Sequence, residues 1–315
     1  MNGIAFGAYG PDSESWRINR EATALLAAAP RALLLQLAHP LVAEGVAQHS
    51  NFREDPRARL EGTLRSYMRL VYGTASEARA EIRRLNRLHQ RVRGPVRDPV
   101  ALALGRAEYE ARAADLSLWV HATLIDSTLV AYEAWIEPLP AARAARFYEE
   151  TRPIGLAFGI PDDVLPPDIA AFRAYFDGMV APGGPIRVTP TAREMVAAVL
   201  HPKLGTMLLP TAPPRDPGVV ARAVSAALDF VPAPLYDWAM WPGVRLLPPR
   251  IREEYGIGDG IERRAVDAWL STSFRLWRRI VPVPLRWMPQ ATRAFERAGG
   301  PAARAQAARA QAARP

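Results

Sequence analysis

None of the 315 residues is a cysteine. That excludes disulfides, iron–sulfur clusters, thiolate-ligated haem, covalent Cys-x-x-Cys-His haem attachment and thiol catalysis together. Lysine is nearly as scarce: of 40 basic residues, Lys203 is the only lysine and the rest are arginine. No Glu-x-x-His precedes any of the five histidines, against a ferritin-like di-iron site. There is no His-Glu-x-x-His zinc helix, no Gly-x-Ser-x-Gly elbow and no P-loop. Gly256-Ile257-Gly258-Asp259-Gly260 follows no strand and lacks the full nucleotide-loop spacing, so it reads as a turn. No stretch of about 18 uncharged apolar residues occurs, so no membrane span is expected. Met1 to Trp16 carries acidic residues and resembles neither a secretory nor a twin-arginine signal, which makes cytoplasmic the expected location.

Hydrophobic residues make up 49% of the chain, enough for a large core and too many for disorder over most of its length. The formal net charge is +8, of which Arg304, Arg309 and Arg314 supply three, leaving +5 on the body. This charge reads as a solvated surface, with no nucleic-acid partner expected, because no helix-turn-helix, zinc-finger or aromatic RNA-binding signature accompanies it. Phe274-Arg275-Leu276-Trp277-Arg278-Arg279-Ile280 has two readings. It is a core-packed helix with snorkelling arginines, or an amphipathic patch making peripheral contact with an anionic membrane.

Hydrophobic spacing follows a 3.6-residue period almost everywhere, and alternating strand patterns are missing. The expected fold is all-α, one large globular domain of ten or more helices over residues 1–300. Residues 301–315 repeat Ala, Arg and Gln with no core-forming pattern and are expected as a disordered tail. Helices are expected over Trp16–Ala29, broken by Pro30, then Arg31–Ala38 and Leu41–Gln48. Others are expected over Val100–Trp135 with a joint near Asp115, and over Pro138–Phe158, Ile169–Val180 and Thr191–Leu200. The last third divides into Pro217–Phe230, Pro234–Leu247, Arg250–Tyr255 and Ile261–Ile280. Arg187-Val188-Thr189-Pro190 is the one extended candidate.

Asp55 to Gly94 organises the rest. Asp55-Pro56 starts one helix, Gly73 ends it, and Thr74-Ala75-Ser76-Glu77 has capping-box spacing for the next. A connection this short folds the arms back on each other. At about 1.5 Å per residue, Thr63 and Arg59 stand roughly 15 and 21 Å from Gly73, and His89 about 22 Å up the other arm. His89 sits on the apolar seam of an arginine-rich amphipathic helix, as a satisfied core histidine or as a ligand. A cation, a hydroxyl and an imidazole at similar height suit a metal or an anionic cofactor. His121, on the apolar Leu118-Trp119-Val120-His121-Ala122 stretch, reads as a core histidine or as a hydrogen-bonding partner to a buried group. A haem between helices needs a neutral imidazole, cations for two propionates and an apolar slot, all of which the sequence offers.

The ordered motifs Leu-Leu-Leu-Gln-Leu-Ala-His-Pro (33–40), Gln-His-Ser-Asn-Phe (48–52), Arg59 with Thr63, Tyr72-Gly73, His89 with Val92-Arg93-Gly94, and Trp-Val-His-Ala (119–122) carry a resemblance. Together they resemble the MpaB-type oxygenase family, which includes the latex-clearing proteins, or rubber oxygenases. The likeness spans about residues 15 to 180. It implies a mainly α-helical fold holding one haem b non-covalently. His89 is then the proximal iron ligand, Arg59 and Thr63 lie close to the haem, and His121 is a second histidine near it. The implied activity is that of a haem-dependent oxygenase, using O2 to oxidise or cleave a C=C bond in a hydrophobic, isoprenoid-like small substrate. A haem-binding carrier or sensor without turnover is the alternative. The family's acid–base glutamate falls near residue 43, where Glu44 matches after a shift. Some members place a ligating lysine where this chain has Gly62, which implies an open or water-bound distal side. Those exported proteins act on polyisoprene, whereas no export signal is read here, so a smaller substrate is expected.

Overall fold

Helix starts follow capping chemistry. The computed structural model describes residues 9–50, 56–200, 241–258, 260–282 and 286–299. In it Thr74 and Glu77 form the reciprocal box, with the Thr74 N–H donating to Glu77 Oε2 at 2.7 Å and the Glu77 N–H to Thr74 Oγ1 at 3.3 Å. Two of the orphan N–H groups of α5 (Ala75–His89) are satisfied in this way. His39 caps α3 (Pro40–His49) by accepting the Leu41 N–H on Nδ1 at 3.3 Å. Burial pushes this imidazole down to about 4, so it is neutral at ordinary pH and keeps the lone pair that the cap requires.

Two apolar helices form the spine. α2 (Ala22–Leu37) lies along α7 (Ala114–Trp135), and their contact is the most extensive among the described elements. Leu34, Leu35 and Leu37 pack with Trp119, Ala122, Ile125 and Leu129, all buried. α7 is apolar around most of its circumference, as a helix surrounded by others must be. Arg31 enters this core from α2, pairing with Asp126 at 2.6 Å and donating to Ser127 Oγ at 2.9 Å and the Leu246 carbonyl at 2.7 Å.

Around the spine lie α1 (Glu14–Asn19), α8 (Ala141–Ala157), α9 (Ile169–Val180) and α10 (Pro190–Leu200). α4 (Pro56–Tyr72) and α5 form the expected antiparallel hairpin, whose Leu70, Ala78 and Ile82 pack on Ile154, Ala157 and Phe158 at the C-terminal end of α8. The described helices are completed by the short α6 (Pro99–Leu102) and α11 (Pro249–Glu254) and the longer α12 (Ile261–Ile280) and α13 (Pro289–Gly299); ten of the described helices have seven or more residues. The fold is all-α in one large domain, with only a tiny sheet. No single described helix is long and apolar enough to cross a membrane.

Three local expectations are corrected. Pro30 does not end a helix: α2 continues through it. Proline removes one backbone hydrogen bond, but Ala27, Ala28, Leu34 and Leu35 on both sides of it are buried in the same core, and that burial holds the helix together. The region from Val100 is not one helix. β1 (Arg93–Pro95) and β2 (Glu108–Glu110) pair antiparallel, with Gly94 opposite Tyr109. A Cβ on Gly94 would stand 3.0 Å from both Gln48 Oε1 and Tyr109 Oη, so a larger residue would push these side chains back by a few tenths of an ångström. Residues 186–189 form no strand; the Arg187 N–H instead donates to the Ala38 carbonyl at 3.0 Å. The expected helix over Pro217–Phe230, residues 234–240 of the next one, and the tail at 301–315 lie outside the described residues.

Candidate functional site

The α4–α5 hairpin is clamped at mid-height. Ser66 donates to the Gly62 carbonyl at 2.9 Å and to Glu81 Oε1 at 2.7 Å. Arg84 donates to the same carboxylate at 2.6 Å and Arg69 to its other oxygen at 3.2 Å. Hydrogen bonding by Arg84, ahead of that by Ser66 and Arg69, holds Glu81 down at about 2 although the side chain is buried. This clamp fixes the register of the arms. Seven residues back from Ser66 is Arg59, and eight forward from Glu81 is His89, so in antiparallel arms their backbones stand at similar height. Thr63 shares a face with Ser66 and Leu70 at helical spacing and is exposed. The Arg59 side chain lies outside the described residues.

One stripe of α8 gathers both histidines of the candidate site. Thr151, Gly155 and Phe158 fall four and three residues apart, on one side of the helix and its C-cap. His89 is half-buried at the end of α5 with its ring 6.2 Å from that of Phe158. Asn86, one turn earlier, anchors this end of α5 by donating to the Ala157 carbonyl at 2.9 Å. His121 comes from α7 and is buried. Its Nε2 is buried without a hydrogen-bond partner among the described residues, with the Thr151 main chain nearby. Burial lowers its pKa to about 4, against a smaller opposing pull from the Thr151 main chain. Above that pH His121 is a neutral imidazole, a form suited to accept a hydrogen bond or bind a metal.

Gly155 is the site residue that sequence reasoning missed. A Cβ there would stand 3.2 Å from His121 Nε2 and 3.0 Å from Leu165 Cδ2. The glycine lets α8 approach the imidazole edge. Its signal was available: glycine inside a helix costs about 1 kcal/mol against alanine, which points to a packing reason.

Glu44 stands apart from this cluster. It is buried on α3, and its carboxylate accepts the Asp98 N–H at 2.6 Å, the Arg97 N–H at 3.2 Å and Gln48 Nε2 at 2.6 Å. Gln48 in turn donates to the Pro95 carbonyl at 3.0 Å and accepts from Tyr109 Oη at 3.0 Å. All of Glu44's partners lie on its own helix and on the loop leading from β1 into α6. Oε1 holds that loop directly, and Oε2 is occupied by Gln48, which itself reaches the loop through the Pro95 carbonyl. Glu44→Gln replaces an acceptor by an amide that meets the Gln48 amide or the backbone donors. It is expected to cost about 1–3 kcal/mol of stability, read from denaturant midpoints. A variant of unchanged stability that loses turnover would instead make Glu44 a proton-transfer group.

The chain is similar to two curated proteins, Rv2237 of Mycobacterium tuberculosis and Mb2261 of Mycobacterium bovis, both described as uncharacterized. Each is 32% identical over 151 residues, covering 46% of this chain and 55% of the relative. The chain thus spans about half the length of the curated relatives it matches. No solved structure matches it. Residues 16–307 match a family described as "ER-bound oxygenase mpaB/B'/Rubber oxygenase, catalytic domain", so nearly the whole helical domain, both histidines and the hairpin included, belongs to that oxygenase family.

Proposed function

We propose that this chain is a haem b-dependent oxygenase that uses O2 to oxidise or cleave a C=C bond of a hydrophobic small molecule. Its family supports oxygenase chemistry at the coarser level. The observation that carries the haem reading is the convergence of two histidines on one stripe of α8, one of them buried, neutral and with its Nε2 unpaired. The donor set points the same way. A bare iron needs three or so side-chain ligands, and among the described residues no three His, Asp or Glu side chains are grouped to supply them. Haem brings four nitrogens of its own and needs one imidazole from the chain.

His89 is the better iron ligand of the two. It is half-buried at an open end of the hairpin, whereas His121 Nε2 faces α8 with clearance for little more than a hydrogen. His121 then offers its lone pair to a protonated group at the same stretch of α8. With a pKa near 4 it accepts a hydrogen bond at neutral pH without taking the proton. Arg59 and Thr63, on the arm facing α5, are assigned to the haem edge. Among the described residues no neighbouring side chain lies within 4 Å of the point where a Gly62 Cβ would stand, and glycine itself offers no ligand there. Glu44 is assigned to holding the loop that follows β1. When bound, haem b supplies the O2-binding iron and the oxidising chemistry, while the chain orients the alkene and excludes water.

Oxygen uptake by the haem-loaded protein, measured with a panel of terpenoid alkenes under reducing conditions, tests the reading. Substrate-dependent uptake with an oxygenated product supports it. Haem retention with no uptake across the panel leaves the carrier or sensor.

A further inference from the structure

We propose that the outer face of α5 docks an acidic one-electron carrier protein. Arg79, Arg83 and Arg87 recur every four residues, all exposed, and Arg91, also exposed, follows just past the helix end. The three helical positions span about 12 Å of the axis and about 80° of its circumference. The charge belongs to this face itself. Glu77 and Glu81, the only acids of α5, stand about 120° and 160° round the helix from Arg83. Glu81 is held by Ser66, Arg69 and Arg84, and Glu77 by the Thr74 cap. Among the described residues none of the four outer arginines has an ion pair or a side-chain hydrogen bond. Arg69 and Arg84 are thus given a carboxylate, and the outer four are not.

Charge and place together select the partner. Ser76, Ala80 and Gln90 lie among the arginines, so the face offers a bilayer no large apolar side chain. It has no aromatic ring to stack on a base, and a few phosphate contacts alone give only weak, sequence-independent binding. Carboxylates of a partner protein fit the planar guanidinium forks. A patch this small matches the limited interfaces of electron-transfer encounters, which charge complementarity forms quickly. The carrier role rests on the haem reading above. Arg87 and the proposed iron ligand His89 are two residues apart, on opposite sides of a helix roughly 10–12 Å across. A docked carrier therefore lies one helix width from the histidine. The step moves one electron, lost by the reduced centre of the carrier and gained by ferric iron, with no bond made or broken.

The test is calorimetric titration of the full chain, with and without haemin, by an acidic [2Fe–2S] ferredoxin. Binding should weaken at least about tenfold between roughly 0.02 and 0.2 M salt. An Arg79→Glu, Arg83→Glu, Arg87→Glu triple variant should bind at least about tenfold more weakly at low salt. The same charge change at other exposed positions, Arg112→Glu, Arg173→Glu and Arg293→Glu, should alter binding less than about threefold. All six positions are exposed, so circular dichroism should show both variants folded. With haem bound, reduced ferredoxin should convert the ferric chain to its ferrous CO form at least about tenfold more slowly in the α5 variant, while dithionite reduces both alike. The proposal is overturned by absence of ferredoxin binding, or by equal losses in the two triple variants. Binding of a DNA duplex that only the α5 variant loses, without ferredoxin binding, also overturns it. Ferredoxin binding without reduction, in protein that dithionite reduces, overturns the carrier role. A chain that takes up no haemin overturns the haem reading, while the titration without haemin still decides the docking face.

Discussion

His89→Ala protein should carry no Soret band while keeping its helical content. If His89 is the proposed iron ligand, its loss should weaken haem retention at least about a hundredfold, more than the loss of a group that only orients a ligand. The fold should tolerate the change. His89 is the last residue of α5 and half-buried, and that end of the helix is anchored separately by Asn86 on the Ala157 carbonyl and by Ile82 in the hairpin core. Haem content and far-UV circular dichroism of the same preparations give the answer. If haem survives this change and disappears in His121→Ala, the iron ligand is His121, and α7 and α8 must separate at Gly155 to admit the ring.

The largest stability loss is expected inside the spine. Asp126→Leu leaves the Arg31 guanidinium buried with, among the described residues, Ser127 Oγ, the Leu246 carbonyl and the face of Phe176 in contact with it. Breaking one side of a buried ion pair costs about 3–5 kcal/mol, because the remaining charge has no counter-ion. Burial pushes the Asp126 carboxyl up even though Arg31 pulls it down, so the attraction does not fully offset desolvation. The double change Arg31→Met with Asp126→Leu should therefore be far milder than Asp126→Leu alone. Urea midpoints of wild type, each single variant and the pair measure this coupling directly. Equal losses in the double and in Asp126→Leu would show that packing, not the charge left behind, sets the cost.

Where the sequence was legible, its signals were local and redundant. The box at Thr74 and Glu77 satisfies two named donors, so the start of α5 and the turn before it could be placed from four residues. Ile169–Val180 and Ile261–Ile280 begin and end where their periodicity does. Pro30 misled because its effect was weighed locally, whereas the buried alanines before it and leucines after it pack into one core with α7. The hairpin of 93–95 and 108–110 was invisible because three residues are too few for an alternating pattern. His89 and His121 could be singled out from their seams. Their meeting place on α8 could not, since it depends on Gly155 and Phe158, residues with no chemistry of their own. Glu44 shows the converse: only the family resemblance pointed to it, and the backbone donors that its carboxylate meets lie some 50 residues away in sequence, at Arg97 and Asp98.

Haem binding itself is tested most directly by the visible spectrum of the purified full chain, before and after titration with haemin. A Soret band that saturates at a single haem per chain, with the pyridine haemochrome of haem b, is the expected result. Because Gly62 supplies no distal side chain, the ferric form should be high-spin or water-bound, and the reduced form should shift at once with CO. A chain that is folded by circular dichroism, yet leaves the haemin spectrum unchanged at every ratio, would contradict the assignment.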